Sequence, residues 1–197
     1  MKYIIAGTDR PDSNTLKVSK YIQAIYKNLG EDVEIMDLKV MKKDLHDDMQ
    51  YGKTSENLKP YLEKIAKSEG LIVVCPEYNG SMPGVLKYFI DHWRYPESFE
   101  FRPVCFVGLG GMFGALRPVE HLQQVFGYRN SFIYPERVFI MNVHKVLSAD
   151  GQVQDDMIKQ LLVKQAEGFQ KFTQALSSFK IDANAVIEQK KQQSARG

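Results

Sequence analysis

The groups in this chain best suited to chemistry are concentrated in Pro76-Glu77-Tyr78-Asn79-Gly80-Ser81-Met82-Pro83-Gly84. A carboxylate, a phenol, an amide and a hydroxyl stand here among prolines and glycines. The prolines stiffen the turn, and the glycines permit backbone shapes and close approaches that side chains forbid. A second cluster, Gly7-Thr8-Asp9-Arg10-Pro11-Asp12-Ser13-Asn14-Thr15, precedes a helical pattern. Hydroxyls, an arginine and main-chain amides at a helix N-terminus make an anion site. A helix cap from Asp12 or Ser13 uses the same geometry, so the two readings are compatible. The third cluster is Gly108-Leu109-Gly110-Gly111-Met112-Phe113-Gly114, followed by a helical pattern from Leu116. Glycines there either let main-chain amides reach a ligand or serve tight helix–strand packing. They are not a dinucleotide fingerprint. Gly108 and Gly110 fit the first two glycines of G-x-G-x-x-G, but Phe113 occupies the third position.

The pattern Pro-Glu-Tyr-Asn-x-Ser-x-Pro-Gly-x-Leu-Lys-x-x-Ile-Asp is filled at every position from Pro76 to Asp91. It resembles the flavin-binding loop of the NAD(P)H-dependent FMN reductases, a flavodoxin-like family that includes quinone, azo-dye and chromate reductases. The opening segment resembles the family's Gly-Ser-x-Arg-x-x-Ser phosphate loop, with Thr8 keeping the hydroxyl where serine is usual. The third cluster resembles the family's loop at the pyrimidine edge of the flavin. The resemblance implies FMN across the carboxyl ends of the first, third and fourth strands. Thr8, Arg10, Ser13, Asn14 and Thr15 would hold its phosphate. Pro76, Glu77, Tyr78, Asn79, Gly80 and Ser81, with Gly110, Gly111 and Met112, would hold the isoalloxazine. It further implies hydride transfer from NADPH or NADH, through FMN, to a small acceptor such as a quinone, azo compound, chromate or free flavin. No acid or base from the protein is required, because the hydride chemistry belongs to the cofactor. A homodimer or homotetramer is implied as well. The alternative is an FMN-binding electron carrier of the flavodoxin type without NAD(P)H activity. Such carriers are usually strongly acidic, whereas this chain has a formal charge of +2.

The elements that must position these loops read as alternating strand and helix. Strands are expected at Tyr3-Ile4-Ile5-Ala6, Val33 to Asp37, Leu71 to Cys75 and Val104 to Val107. A fifth, broken by Pro135, falls between Ser131 and Asn142. Helices are marked by Val18, Ile22, Ile25 and Leu29, stopped by Gly30; by Leu58, Leu62 and Ile65, stopped by Gly70; by residues 84–93; by Leu116, Val119, Leu122 and Phe126; and by Ile158, Leu162, Phe169 and Leu176. The expected fold class is α/β, a flavodoxin-like doubly wound five-stranded parallel sheet of order 2-1-3-4-5, with ligands at the carboxyl ends of the strands. One domain over residues 1–178 is expected, followed by a frayed or disordered tail over residues 179–197. Lys39 to Asn57 reads as a long mobile connection.

Composition narrows the function class. A chain of 197 residues with 44% hydrophobic residues can bury a substantial core. The near balance of charge and the lack of a basic stripe disfavour nucleic acid. No run reaches transmembrane length, and the amino terminus enters a strand directly, so a cytoplasmic location with no membrane partner is expected. Cys75 and Cys105 fall in expected central strands and read as buried packing residues. His46, His92, His121 and His144 show no metal-binding spacing, and no G-x-S-x-G elbow occurs. Tyr95, Phe99 and Phe101 read as core or subunit contacts, with an aromatic wall for a planar substrate as the alternative.

Overall fold

The computed structural model describes residues 1–46 and 54–195, with only the backbone of His46. Three apolar runs form the centre of one sheet: β1 (Lys2–Ala6), β3 (Gly70–Pro76) and β4 (Pro103–Leu109), each buried along its whole length. Continuous burial, without alternation, is the mark of parallel strands covered on both faces. With β2 (Val33–Asp37), β5 (Phe132–Ile133) and β6 (Val138–Ile140), the order is β2-β1-β3-β4-β5, and β6 also pairs with β4. All pairings are parallel. The expected order holds, and the broken fifth strand is two short pieces. β5 covers Pro103 and Val104, and β6 covers Val107 to Leu109. The chain leaves the sheet between them. There Gln165 Nε2 donates to Phe106 O at 3.0 Å and to Glu136 O at 2.8 Å, replacing ladder bonds.

The helices cover the two faces. α1 (Asn14–Asn28), α6 (Val143–Val146) and α7 (Asp156–Ser178) lie with Ile4, Ile72, Val74, Cys105 and Val107. The other face joins α2 (Leu38–His46), α3 (Lys59–Lys67), α4 (Gly84–Asp91) and α5 (Leu116–Tyr128) to Ile5, Leu71, Val73, Cys75 and Phe106. Neighbours such as Ile4 and Ile5 therefore serve opposite cores, as strand alternation requires. It also puts the two free, buried cysteines on opposite faces, where no disulfide can join them. Burial pushes both thiols well above the usual range. α1 ends as expected, with Gly30 at φ +75° and Glu31 N donating to Tyr26 O at 2.9 Å.

Three expectations change. Gly70 does not stop a helix. α3 ends at Lys67, and Gly70 opens β3, tucked against Phe169 and Thr173. The expected mobile connection from Lys39 starts as α2, whose Leu38, Met41 and Leu45 are buried one helical turn after another; residues 47–53 of that expectation lie outside the described residues. The expected frayed tail contains α8 (Ala183–Ser194). Asp182 caps it by accepting from Asn184 N, and Ala183 N donates to Phe101 O at 3.0 Å. Its anchor is Arg102, wholly buried. The guanidinium donates to Asn184 Oδ1 (3.1 Å), to Glu97 O (2.6 Å), and to Ala66 O and Ser68 O at the end of α3. Burial lowers the Arg102 pKa to about 10, which leaves it charged at neutral pH. These anchors precede β3 and β4, so α8 sits at the amino end of the sheet.

The aromatic segment lies at that same end. Trp93 and Phe99 are core residues with ring centroids 5.3 Å apart, and the Phe101 ring lies tilted against Phe132 at 5.7 Å. They form no wall beside the loops that follow the strands. Among the described residues, no helix is long and apolar enough to cross a membrane.

Candidate functional site

The loops after β1, β3 and β4 converge at the carboxyl end of the sheet. The first is held down by glycine. Gly7 N donates to Val74 O at 2.9 Å, and a Cβ on Gly7 would stand 2.8 Å from that oxygen and 3.0 Å from Leu86 Cδ2. Only glycine lets this loop cross directly over β3. Thr8 is then buried, and its Oγ1 lies 2.7 Å from Tyr78 Oη. Arg10 N donates to Thr8 Oγ1, and the Arg10 guanidinium lies over the Tyr78 ring at 4.0 Å. Ser13 caps α1, taking the Leu16 amide at 3.1 Å. The amides of Asn14 and Thr15 stand at the first helical positions, which have no intrahelical acceptor. Thr15 is buried, with its carbonyl accepting from Ser19 Oγ.

The second loop is a tight reversal. Tyr78 N donates to Ser81 O at 2.9 Å and Ser81 N to Tyr78 O at 3.1 Å, with Asn79 and Gly80 between them at φ +50° and +81°. Two left-handed residues in succession are what the Asn-Gly pair supplies. Pro76 ends β3, and Glu77 N donates to Leu109 O at 3.3 Å, tying the loop to the end of β4. In the third loop, Gly110 N donates to Ile140 O at 3.1 Å, and Asn142 N to Gly111 O at 2.7 Å. The amide of Gly110 is thus committed to the fold. The amides of Asn79, Gly80, Gly111 and Met112 stand outside this internal bonding. Around Gly80 and Gly111 a Cβ would meet nothing within 4 Å, so the main chain is open there. Gly108 does the packing: its Cβ would lie 2.6 Å from Gly114 O. Met112 is 74% exposed at the outer margin.

The structure therefore joins Thr8, Arg10 and Tyr78 directly, sets Ser13, Asn14 and Thr15 on one helix terminus, and brings Glu77 against Gly110, whose Cβ would stand 3.8 Å from that of Glu77. It also shows partners that sequence reasoning missed. Arg117 Nη1 donates to Glu77 Oε1 at 2.9 Å, so this carboxylate points to α5. His121 Nδ1 lies 2.9 Å from Ser81 Oγ. Lys42 of α2 pairs with Asp9 at 2.8 Å. The available signal was the helical spacing of Arg117 and His121, which sets both on one face of α5.

The model of the family described as NADPH-dependent FMN reductase matches residues 3–145, a span that takes in all three loops. The chain belongs to the NADPH-dependent FMN reductase family. It is 32% identical to an NAD(P)H-dependent FMN reductase of Pseudomonas aeruginosa, over 59% of this chain and 65% of that protein. It is 30% identical to an FMN-dependent NADPH-azoreductase of Staphylococcus aureus, over 62% of this chain and 66% of the relative. The chain thus spans about two thirds of the length of the curated relatives it matches, and slightly less than that in each case. Among solved structures, FerB, a flavoenzyme NAD(P)H:(acceptor) oxidoreductase from Paracoccus denitrificans, superposes with a TM-score of 0.71 at 22% identity, covering 88% of this chain and 97% of that one. That likeness establishes the flavodoxin-like fold.

Proposed function

We propose that this reductase-family chain is an FMN-dependent oxidoreductase that takes reducing equivalents from NADPH or NADH and delivers them to a small acceptor. The observation that carries the reading is the Arg10–Tyr78–Thr8 contact, which joins a phosphate-type loop to an open, amide-lined turn at the ends of β1 and β3. The residues fit FMN. Arg10, the Thr8 and Ser13 hydroxyls, and the first-turn amides of Asn14 and Thr15 with their side chains would hold the phosphate through charge-assisted bonds. Pro76 to Ser81 and Gly110 to Met112 would border the ring, with the amides of Asn79, Gly80, Gly111 and Met112 free to meet its carbonyls. Bound FMN supplies the chemistry, accepting hydride from the nicotinamide and returning electrons to the acceptor. The chain's own part is to bind, to orient and to offer donors where negative charge gathers. Glu77, paired with Arg117, is not poised as a general base.

Azo compounds are the acceptor class favoured, since a curated relative is named an azoreductase. The end of α5 and the segment after α4 present Tyr128 and Tyr95 at a hollow of about 410 Å³. A homodimer or homotetramer through that face fits closed symmetric pairing. The two free thiols fit a reducing, cytoplasmic setting.

The test is anaerobic. Purified protein loaded with FMN should bleach on adding NADPH or NADH, and steady-state lines with a quinone should be parallel, since one ring face serves both partners in turn. Flavin that stays oxidised under excess of both nucleotides would refute the reductase reading in favour of an electron carrier. Intersecting lines would refute the shared face. Light scattering that gave a monomer mass at micromolar concentration would refute the assembly.

A further inference from the structure

We infer that Arg117 and His121 are positioning residues: from one face of α5 they clamp the Glu77–Ser81 turn at both ends and so set the affinity of the site for the flavin ring. The inference rests on the reductase reading above and adds a division of labour within it. On its inner side the turn is tied down by Glu77 N on Leu109 O and by Tyr78 against Thr8 and Arg10. Asn79 and Gly80 are left-handed, and the two bonds across the turn close it on itself without fixing where it points. On its outer side the fixing comes from α5. Arg117 grips the Glu77 carboxylate, a side chain only 16% exposed, and His121 meets the Ser81 hydroxyl. Arg117 also lies over the Phe113 ring at 4.5 Å, so the same guanidinium steadies the β4–α5 loop that carries Gly111 and Met112. Four residues separate the two grips, one turn of helix. They meet the two ends of a turn whose free amides face outward between them. None of these contacts touches the Arg10 loop directly, and the Tyr78 ring links the two, so the clamp should act mainly on ring binding and Arg10 mainly on the phosphate.

That division gives the test. FMN and riboflavin share the ring and differ in the phosphate. Their dissociation constants are read from flavin fluorescence with wild type, Arg117→Met, His121→Phe and Arg10→Ala. Each clamp variant should weaken both flavins alike, about fivefold for the partly exposed Arg117–Glu77 ion pair and less for the His121–Ser81 hydrogen bond. Arg10→Ala should weaken FMN several-fold more than riboflavin, which feels only the loss of the Arg10–Tyr78 contact. Arg117→Lys, which keeps the charge, and His121→Asn, which keeps a polar atom near the Nδ1 position, should recover part of the loss. Both side chains are at or near the surface, so thermal unfolding of the flavin-free variants should match wild type. Riboflavin affinity unchanged in both clamp variants would overturn the inference, as would a loss confined to FMN. If wild type bound neither flavin, the reductase reading itself would fall, and the clamp with it.

Discussion

Gly108 offers the sharpest test of how the third loop is built. It sits in β4, and a methyl group added there would lie 2.6 Å from the Gly114 carbonyl, 3.1 Å from Phe139 Cδ1 and 3.2 Å from Ala115 Cβ. The first contact is with backbone and cannot be relieved by a rotamer change. A carbon and a carbonyl oxygen rest comfortably at about 3.3 Å, so the strand and the loop must part by about 0.7 Å. The loop resists, because Gly114 and Ala115 are both left-handed, at φ +57° and +67°, and Ala115 leads directly into α5. Overpacking of this kind costs about 2 kcal/mol, which for a chain this size lowers the melting temperature by roughly 4–8 °C. The control lies two residues on. A methyl on Gly110 would meet nothing closer than Ala115 N at 3.5 Å, so Gly110→Ala should stay within about 0.5 kcal/mol of wild type. Thermal unfolding of flavin-free protein, followed by circular dichroism, reads both. Gly108→Ala melting at or above wild type, or Gly110→Ala melting as low as Gly108→Ala, would refute the reasoning.

Arg10→Ala should cost about 1.5–3 kcal/mol of FMN affinity by titration, and unchanged affinity would remove Arg10 from the phosphate site. Ending the chain at Ile181 removes Asp182, α8 and the Asn184 partner of Arg102, and should lower stability by about 2 kcal/mol in urea unfolding; no change would mean the tail is as dispensable as its composition suggests. Burial raises both thiols, so they stay protonated in the folded chain while unfolded thiols ionise from pH 9.0 upward. Their contribution is fully present below that pH and is lost above it, at up to about 1.4 kcal/mol per pH unit for each thiol. Urea midpoints should therefore fall less steeply with alkali in a Cys75→Ala/Cys105→Ala double variant than in wild type, and equal slopes would count against the assignment.

What could be read from the sequence was local. Pro76 to Gly84 announces its turn because Asn79 and Gly80 carry the required backbone shapes themselves, and β2 shows in its own five residues. The order of strands follows from alternation and connection rules, which is why the broken fifth strand still found its place. What could not be read depends on distant pairing. Little near Arg102 marks it as buried, since apart from the Glu97 carbonyl its partners are carbonyls before β3 and an amide on α8. With that anchor invisible, α8 read as a polar tail. The α5 contacts with Glu77 and Ser81 span 40 residues of sequence and were equally hidden. In α2 the Leu38, Met41 and Leu45 spacing was present but was outweighed by the charge around it.

The split between β5 and β6 has a consequence for how copies of this chain can meet. A long, regular outer strand on β4 would end the sheet in a row of unpaired donors and acceptors, ready to template another chain. Here the border has two and three residues in its two pieces, and the gap between them is stoppered by a glutamine reaching in from α7. An incoming strand finds no uninterrupted rail to zip along. Fibril-like growth and strand exchange are thereby discouraged at this border, and association is steered toward the helical exterior, where it can close on itself and stop.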